Sequence, residues 1–441
     1  MEKPMIGVDV HVIGAGLAGL AAALDLADAG ARVALHEAAP QAGGRCRSFA
    51  DQVLEREIDN GGHVLLGGNK AVFDYLDRIG SRTEMEAIAP AAFPFMDMAT
   101  GETWSIRPNA GPIPWWIMAP SRRVPGTRPA DYAEALNLYF AAETDTVARR
   151  LDPEGPLFQA LWEPLCVAAL NTNPREAAAK PLARVLAESF GKGEAACRPY
   201  LPRNGLTPAL IDPALMALAR MGVTRRFGVP LEALSVQAGR VTGLRFADGD
   251  VSVGDACVVL ALPPYAIARL LPDLKLPQDM SPIVNVHFKL DGSVALPGGA
   301  RLLGLVGGTA QWLIARGDVV SVTVSAADAL VERPNEAVAA MIWREIAKAL
   351  GKPPFPVPPY RTVKERRATL RLTPRAEALR PGPLTATQNL FLAGDWTQTG
   401  LPPTMESAIR SGRAVSRAIL QGHARPATIP REAPHDGARP T

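Results

Sequence analysis

At 441 residues, 47% hydrophobic and 21% charged, the chain is too long for one hydrophobic core and too apolar to be disordered, so a globular protein of two domains is expected. Its 47 Lys and Arg against 44 Asp and Glu leave a net charge of +3, which excludes an extended nucleic-acid surface. Cys46, Cys166, Cys197 and Cys257 form no C-x-x-C pair, which predicts reduced thiols rather than a disulfide frame or a metal site. No run of about 18 apolar residues offers a membrane-spanning helix, and the opening residues carry no export signal, so a cytoplasmic location is expected.

In chain order, residues 8–13 read as a buried strand, 17–29 as an Ala- and Leu-rich helix ending at Gly30, and 32–37 as a second parallel strand. Together they make a βαβ unit. Residues 241–261 read as a hairpin turning near Asp248-Gly249, then an apolar strand halted at Pro263-Pro264. Residues 390–393 read as a buried strand and 407–420 as a helix. These pieces predict one discontinuous α/β domain from residues 5–80, 205–268 and 385–421. The stretches 81–204 and 269–384, richer in Pro, Trp and mixed helical patterns, predict an α+β second domain, and the polar, Pro-rich 422–441 a flexible tail.

Gly14-Ala15-Gly16-Leu17-Ala18-Gly19 is G-x-G-x-x-G between a strand and a helix, the context in which this pattern points to a dinucleotide. Gly14 permits the tight turn, Gly16 lets backbone approach a pyrophosphate, and Gly19 lets helix and strand pack closely. The helix N-terminus adds free N–H groups and a positive dipole end. Glu37 ends the next strand, where a carboxylate accepts ribose hydroxyls and repels a 2′-phosphate, which suits FAD or NAD and disfavours NADP. Gly43-Gly44-Arg45 then favours FAD, since a second glycine pair wraps a long, buried cofactor and Arg45 meets its charge. Gly394-Asp395 follows a strand near the other end of the chain, where Asp395 suits the ribityl chain or a water at the pyrophosphate. The helix beginning around Thr404, Met405 and Ser407 has free N–H groups suited to negative charge on a reduced flavin.

Taken together, Gly14 to Gly19, Glu37, Gly43-Gly44-Arg45 and residues 392–407 resemble the FAD-dependent amine oxidase and phytoene desaturase superfamily. The resemblance implies a two-dinucleotide-binding-domain, Rossmann-like FAD domain with a substrate domain, and places Ala38 and Val229 at the cofactor as well. Asp59-Asn60-Gly61-Gly62-His63, Trp162-Glu163-Pro164-Leu165-Cys166 through Asn171-Thr172, Gln311-Trp312-Leu313, Arg366-Arg367-Ala368-Thr369 and Gly394 to Pro402 look like the hydroxysqualene dehydroxylase family. That family implies reductive removal of the hydroxyl of hydroxysqualene to give squalene on the bacterial route to hopanoids; prenyltransferase partners are a separate expectation. Met405 departs from the smaller branched residue expected there, with little consequence, since backbone N–H groups act at that point.

An allylic C–OH leaves as water only when protonated or strongly hydrogen-bonded, so an acid and a dry slot are needed. Glu163, in an apolar stretch, is the first candidate, its alternative being a capping or salt-bridged glutamate. His63 is the second; with Gly61 and Gly62 it is expected beside the flavin, its alternative being a histidine that satisfies backbone. Trp115, Trp116 and Ile117, flanked by Arg122, Arg123 and Arg128, suit shallow insertion into the inner face of an anionic membrane, or simple packing. A carotenoid desaturase or amine oxidase on the same scaffold, or a flavin-stabilised lipid-binding module without catalysis, are the competing readings.

Overall fold

The computed structural model describes residues 9–422; the tail expected from residue 422 falls outside them, save Gly422. Five short strands form a parallel sheet: β1 (Val10–Ile13), β2 (Val33–Glu37), β3 (Thr224–Phe227), β4 (Cys257–Leu260) and β5 (Leu390–Leu392), in the order β3-β2-β1-β4-β5, with the polar β3 at one edge. Val12, Val258, Val259 and Leu392 are fully buried, as strands covered on both faces require. The strand order reverses beside β1, and ligands of such sheets bind in the crevice at that reversal.

Helix α1 (Leu17–Asp28) is almost wholly buried between this sheet and α2 (Met405–Leu420). The two helices cross closely because position 412 is glycine; a Cβ there would overlap the Ala18 carbonyl oxygen. Helix α2 begins two residues before the expected 407, because the Thr404 hydroxyl accepts the Ser407 N–H at 3.2 Å and caps the turn.

A seven-stranded sheet forms the second part, in the order Tyr360–Leu370, Met280–Lys289, Val319–Ser325, Trp312–Arg316, Leu302–Val306, Phe93–Asp97, Thr103–Ile106. Along Met280–Lys289 the alternation of period two divides the side chains. Val284, Val286 and Phe288 belong to the core that includes Ile342 and Trp343 of the helix Asn335–Ala349, while Asn285 and His287, also buried, point to the other face. A helical cap packs its own core around Trp116, Tyr132, Trp162 and Leu182.

The hairpin of Ser48–Asp51 and Arg56–Asp59 ties the two parts by ion pairs Arg316–Asp59 at 2.8 Å, Arg56–Asp318 at 2.9 Å and Arg361–Asp51 at 2.5 Å. A small sheet of Leu65–Leu66, Pro199–Pro202 and Met85–Ala87 straddles the boundary expected at residues 80–81. Among the described residues no helix is long and apolar enough to cross a membrane.

Three buried histidines set a pH dependence. His11 on β1 and His36 on β2 meet at 3.2 Å, with His36 stacked on Phe246 at 4.8 Å. Burial pushes His11 down to about 4, burial with the His11 and Arg226 charges pushes His36 down to about 3, and burial pushes His287 down to about 4. All three are neutral when folded, whereas the unfolded chain takes up protons below about pH 6.5, so stability is full above that pH and falls toward pH 4. A loss on the order of 1 to 2 kcal/mol per histidine is expected between pH 7 and pH 5. Denaturant midpoints of the protein and of a His11→Leu/His36→Leu variant check this: the variant should show the shallower pH dependence, and equal slopes would clear the pair.

Candidate functional site

The crevice beside β1 is built from loops that hold one another. Gly14 (φ +106°) and Gly19 are required by the protein itself, since a Cβ would overlap the Ala261 carbonyl at the first and the Gly14 carbonyl at the second. Gly16 differs. Its φ of −76° suits any residue and no protein atom lies within 4 Å of where its Cβ would be. Neither backbone nor packing demands glycine there, so the space is kept for something outside the chain. Gly16 is also the N-cap of α1 and offers no side-chain cap, leaving the first-turn N–H groups free beside buried Leu17 and Ala18.

The second glycine pair lies against the first loop: Gly43 N–H donates to the Ala15 carbonyl at 2.8 Å, and a Cβ on Gly44 would come within 3.6 Å of Gly16 Cα. Glu37 ties both loops, accepting Ala15 N–H at 2.8 Å and Ala39 N–H at 2.9 Å. Its backbone carbonyl takes the Val229 N–H at 3.2 Å, and Ala38 lies exposed at the rim. Remaining carboxylate lone pairs stay free for hydroxyls.

Arg45 closes the crevice, donating to Asp395 Oδ1 at 2.7 Å and to the Ala368 carbonyl at 2.5 Å. Burial pushes the guanidinium down, yet the Asp395 carboxylate outweighs it and holds Arg45 above its ordinary value. Gly394 (φ +153°) precedes Asp395, and a Cβ there would overlap the Trp396 indole. Asp395, on the loop after β5, is tied to the N-terminus of α2, where Ser407 Oγ donates to its carbonyl at 3.1 Å; Met405 Sδ lies 3.8 Å from Cys46 Sγ.

Asn60 Nδ2 donates to the Arg45 carbonyl at 3.2 Å, which joins the strip Asn60 to His63 to this set. Gly61 and Gly62 lie flat against Asn285 and Thr323, where no Cβ fits. His63 turns back on its own backbone, Nδ1 at 2.9 Å from the Gly61 carbonyl.

Glu163 is not part of the set. It is half-buried at the start of the helix Glu163–Leu170 and lines a cleft of about 360 Å³ with Asp97, Glu154, Asn173 and Arg175. Helical periodicity turns Trp162, Cys166 and Leu170 into the core and leaves Glu163 one step round, in polar surroundings, so the apolar pocket expected from its neighbours is absent. Trp116 also corrects an expectation: it is buried against Tyr132 at 5.3 Å, and only Trp115 is exposed.

Sequence reasoning missed Arg380, whose fully buried guanidinium donates to the carbonyls of Asp395, Trp396, Thr397 and Leu401 and pairs with Glu377 at 2.8 Å. It also missed buried Glu406, which accepts Ala71 and Val72 N–H at 3.0 and 2.9 Å and so caps the helix Lys70–Ile79. Arg380 follows the short helix Pro374–Ala378 and sits in no motif, whereas Glu406 lies within residues 392–407 as an acid in the first turn of α2.

The sequence profile of flavin containing amine oxidoreductases matches residues 17–420. A hydroxysqualene dehydroxylase of Sinorhizobium fredii is 43% identical over 415 residues, covering 94% of this chain and 99% of that protein.

The chain belongs to the hydroxysqualene dehydroxylase family.

Another member, from Rhodopseudomonas palustris, is 44% identical over 413 residues, covering 93% of this chain and 98% of its own. The fold is that of cyclohexylamine oxidase from Brevibacterium oxydans, with a TM-score of 0.70 at 18% identity over 95% of this chain and all of that one. The cofactor is FAD, and the open side of Gly16, the glycine pair at 43–44 and the uncapped α1 fit a pyrophosphate. Gly16→Ala should therefore leave the stability of the cofactor-free protein unchanged while weakening FAD binding by at least about tenfold. Flavin absorbance per polypeptide, beside the apoprotein melting curve, checks both halves.

Proposed function

We propose that the chain converts hydroxysqualene to squalene by FAD-dependent reductive dehydroxylation. The observation that supports this best is identity of 43–44% with two hydroxysqualene dehydroxylases along nearly the whole length of both, joined to the dinucleotide crevice. In this reading residues 5–80, 205–268 and 385–421 hold FAD, and 81–204 with 269–384 hold the isoprenoid.

Gly14, Gly16 and Gly19 with Gly43 and Gly44 take the pyrophosphate on backbone N–H groups, and Glu37, with Ala38 and Val229 beside it, takes the ribose hydroxyls. Arg45 and Asp395 close over the flavin half as an ion pair. The N–H group of Met405 at the start of α2 favours negative charge nearby, whereas that of Ser407 is taken up by the Thr404 hydroxyl. FAD, when bound and reduced, supplies a hydride. Gly61, Gly62 and His63 present a thin backbone wall that lets a long chain approach, and the surrounding apolar core excludes water from the developing cation.

A water-insoluble substrate needs a route from lipid. Ile113, Trp115, Met118, Leu136, Tyr139 and Phe140 are exposed, Trp115 by 65% and Phe140 by 78%, on segments that pack together through Trp116, Tyr132 and Phe190. Exposed Arg128 and Lys192 and half-buried Arg122 lie on the same segments. This surface suits contact with an anionic bilayer.

Two measurements test these readings. Anaerobic mixing of the reduced holoenzyme with hydroxysqualene should reoxidise the flavin and yield squalene; reduced flavin that persists rejects the activity. In flotation with anionic liposomes, Trp115→Ser/Phe140→Ser should bind at least about tenfold more weakly than the parent. A parent protein that stays at the bottom of the gradient ends the membrane reading.

A further inference from the structure

Residues 393–404 run from β5 to α2 with no strand or helix of their own, and one side chain holds them from behind. Arg380 follows the helix Pro374–Ala378, which trails the strand Tyr360–Leu370, and its guanidinium is fully buried. A guanidinium carries five N–H donors in a fixed fork, and here each has an acceptor. Nε donates to the Trp396 carbonyl at 3.2 Å, Nη1 to the Leu401 carbonyl and to Glu377 Oε2, both at 2.8 Å. Nη2 donates to the Asp395 carbonyl at 3.1 Å and to the Thr397 carbonyl at 2.6 Å. An ammonium, with three donors on one atom, cannot reproduce that set.

These bonds orient the peptides that flank Asp395. In a trans peptide the C=O and N–H point opposite ways, so the Trp396 N–H is turned away from Arg380. Neither it nor the Asp395 N–H reaches an acceptor among the described residues, although Asp395 and Trp396 are only 7% and 2% exposed. The next two N–H groups are used internally, Thr397 on the Gly394 carbonyl at 3.1 Å and Gln398 on the Pro381 carbonyl at 2.8 Å. Buried backbone donors are almost always paired, so two adjacent free ones are held in place by the clamp behind them. The Asp395 carbonyl also accepts Ser407 Oγ at 3.1 Å, which sets the loop against the first turn of α2, and the Asp395 carboxylate meets Arg45 at 2.7 Å. Glu377 offsets the Arg380 charge at close range, so the guanidinium acts mainly by shape.

We infer that Arg380 is a positioning residue for the cofactor: it fixes the peptides from 395 to 397 and, through Asp395 and Ser407, aligns the Arg45 pair and the start of α2 toward the flavin. The inference rests on the reading of Asp395 and α2 as the flavin side of the crevice. Its consequence is that the fork of Arg380, more than its charge, sets FAD affinity and the preference for the reduced form.

The test compares the full-length protein with Arg380→Gln, Arg380→Lys, Asp395→Asn and Asn389→Ala. Asn389 is buried at the other end of β5, where it holds the Val241 N–H and carbonyl and the Ala256 carbonyl, so its loss weakens the fold away from the crevice. Titration of each apoprotein reads FAD affinity, equilibration with a redox dye reads the potential of the bound flavin, and circular dichroism reads folding. Arg380→Gln should bind FAD at least about tenfold more weakly. Its ratio of reduced to oxidised affinity should fall about tenfold, a potential about 30 mV more negative for a two-electron couple. Arg380→Lys should recover only part of both, and Asn389→Ala should melt lower while keeping both within about threefold of the parent. If Arg380→Gln does not fold, Arg380→Lys carries the comparison. Parent values in Arg380→Lys overturn the inference, because charge alone then suffices. So do values within about threefold of the parent in a folded Arg380→Gln, or an equal loss in Asn389→Ala. If Asp395→Asn also changes neither affinity nor potential, the flavin-side reading fails as well; a shifted Asp395→Asn beside an unshifted Arg380→Gln rejects the role of Arg380 alone.

Discussion

Arg45 and Asp395 stand 350 residues apart in the chain and meet at 2.7 Å. Everything at the crevice depends on that ion pair, because it joins the loop after β2 to the loop after β5 and so closes the two ends of the sequence around one space. The pair is only partly shielded from water on the Arg45 side, whereas Asp395 is nearly buried. Loss of either partner would strand the other charge away from solvent, the situation that makes broken buried pairs costly. Its second donor reaches the Ala368 carbonyl on the seven-stranded sheet, so the same guanidinium also ties that sheet to the loop after β2.

Around this pair the protein spends buried polar groups on backbone, and few on one another. Arg380 holds four carbonyls of the loop that carries Asp395. Asn171, in the left-handed region at φ +47°, accepts Ala326 N–H at 2.6 Å and donates to the Ser281 carbonyl at 3.1 Å and the Thr369 hydroxyl at 2.9 Å. It thereby pins the helical cap to both of the paired strands Met280–Lys289 and Tyr360–Leu370. Gln311 pairs in both directions with the backbone of Ser325. Buried amides and guanidinium groups with such partners hold irregular loops in one geometry, which an apolar core alone does not do. Motifs scattered along the chain thus turn out to be joints of one assembly.

The site needs two kinds of surroundings that oppose each other. Phosphates and a reduced flavin call for N–H groups, a helix dipole and a neutralised cation, whereas a long isoprenoid and a short-lived cation call for an apolar, water-free wall. The parallel sheet carries the glycine loops and helix termini that suit the first, and the seven-stranded sheet meets it at Gly61 and Gly62, which lie against Asn285 and Thr323. Apolar side chains are left exposed around Trp115 and Phe140, on the helical cap.

Local chemistry was legible in the sequence wherever one short segment carries it. The G-x-G-x-x-G turn, the βαβ unit, Glu37 and the glycine pair at 43–44 all follow from turn sterics, hydrophobic period and helix-terminus electrostatics acting over a few residues, and the sheet and crevice formed from them as expected. What the tertiary structure alone decided are the pairings across hundreds of residues: Arg45 with Asp395, Asn60 with Glu365, Asn171 with Thr369. Glu163 shows why. Its neighbours in sequence are apolar, but a helix turns successive side chains by about 100°, so adjacency along the chain does not predict burial. Trp115 and Trp116 divide in the same way, one exposed and one in the core. Solvent exposure and charge proximity are properties of the packed surface, which no single segment of sequence determines.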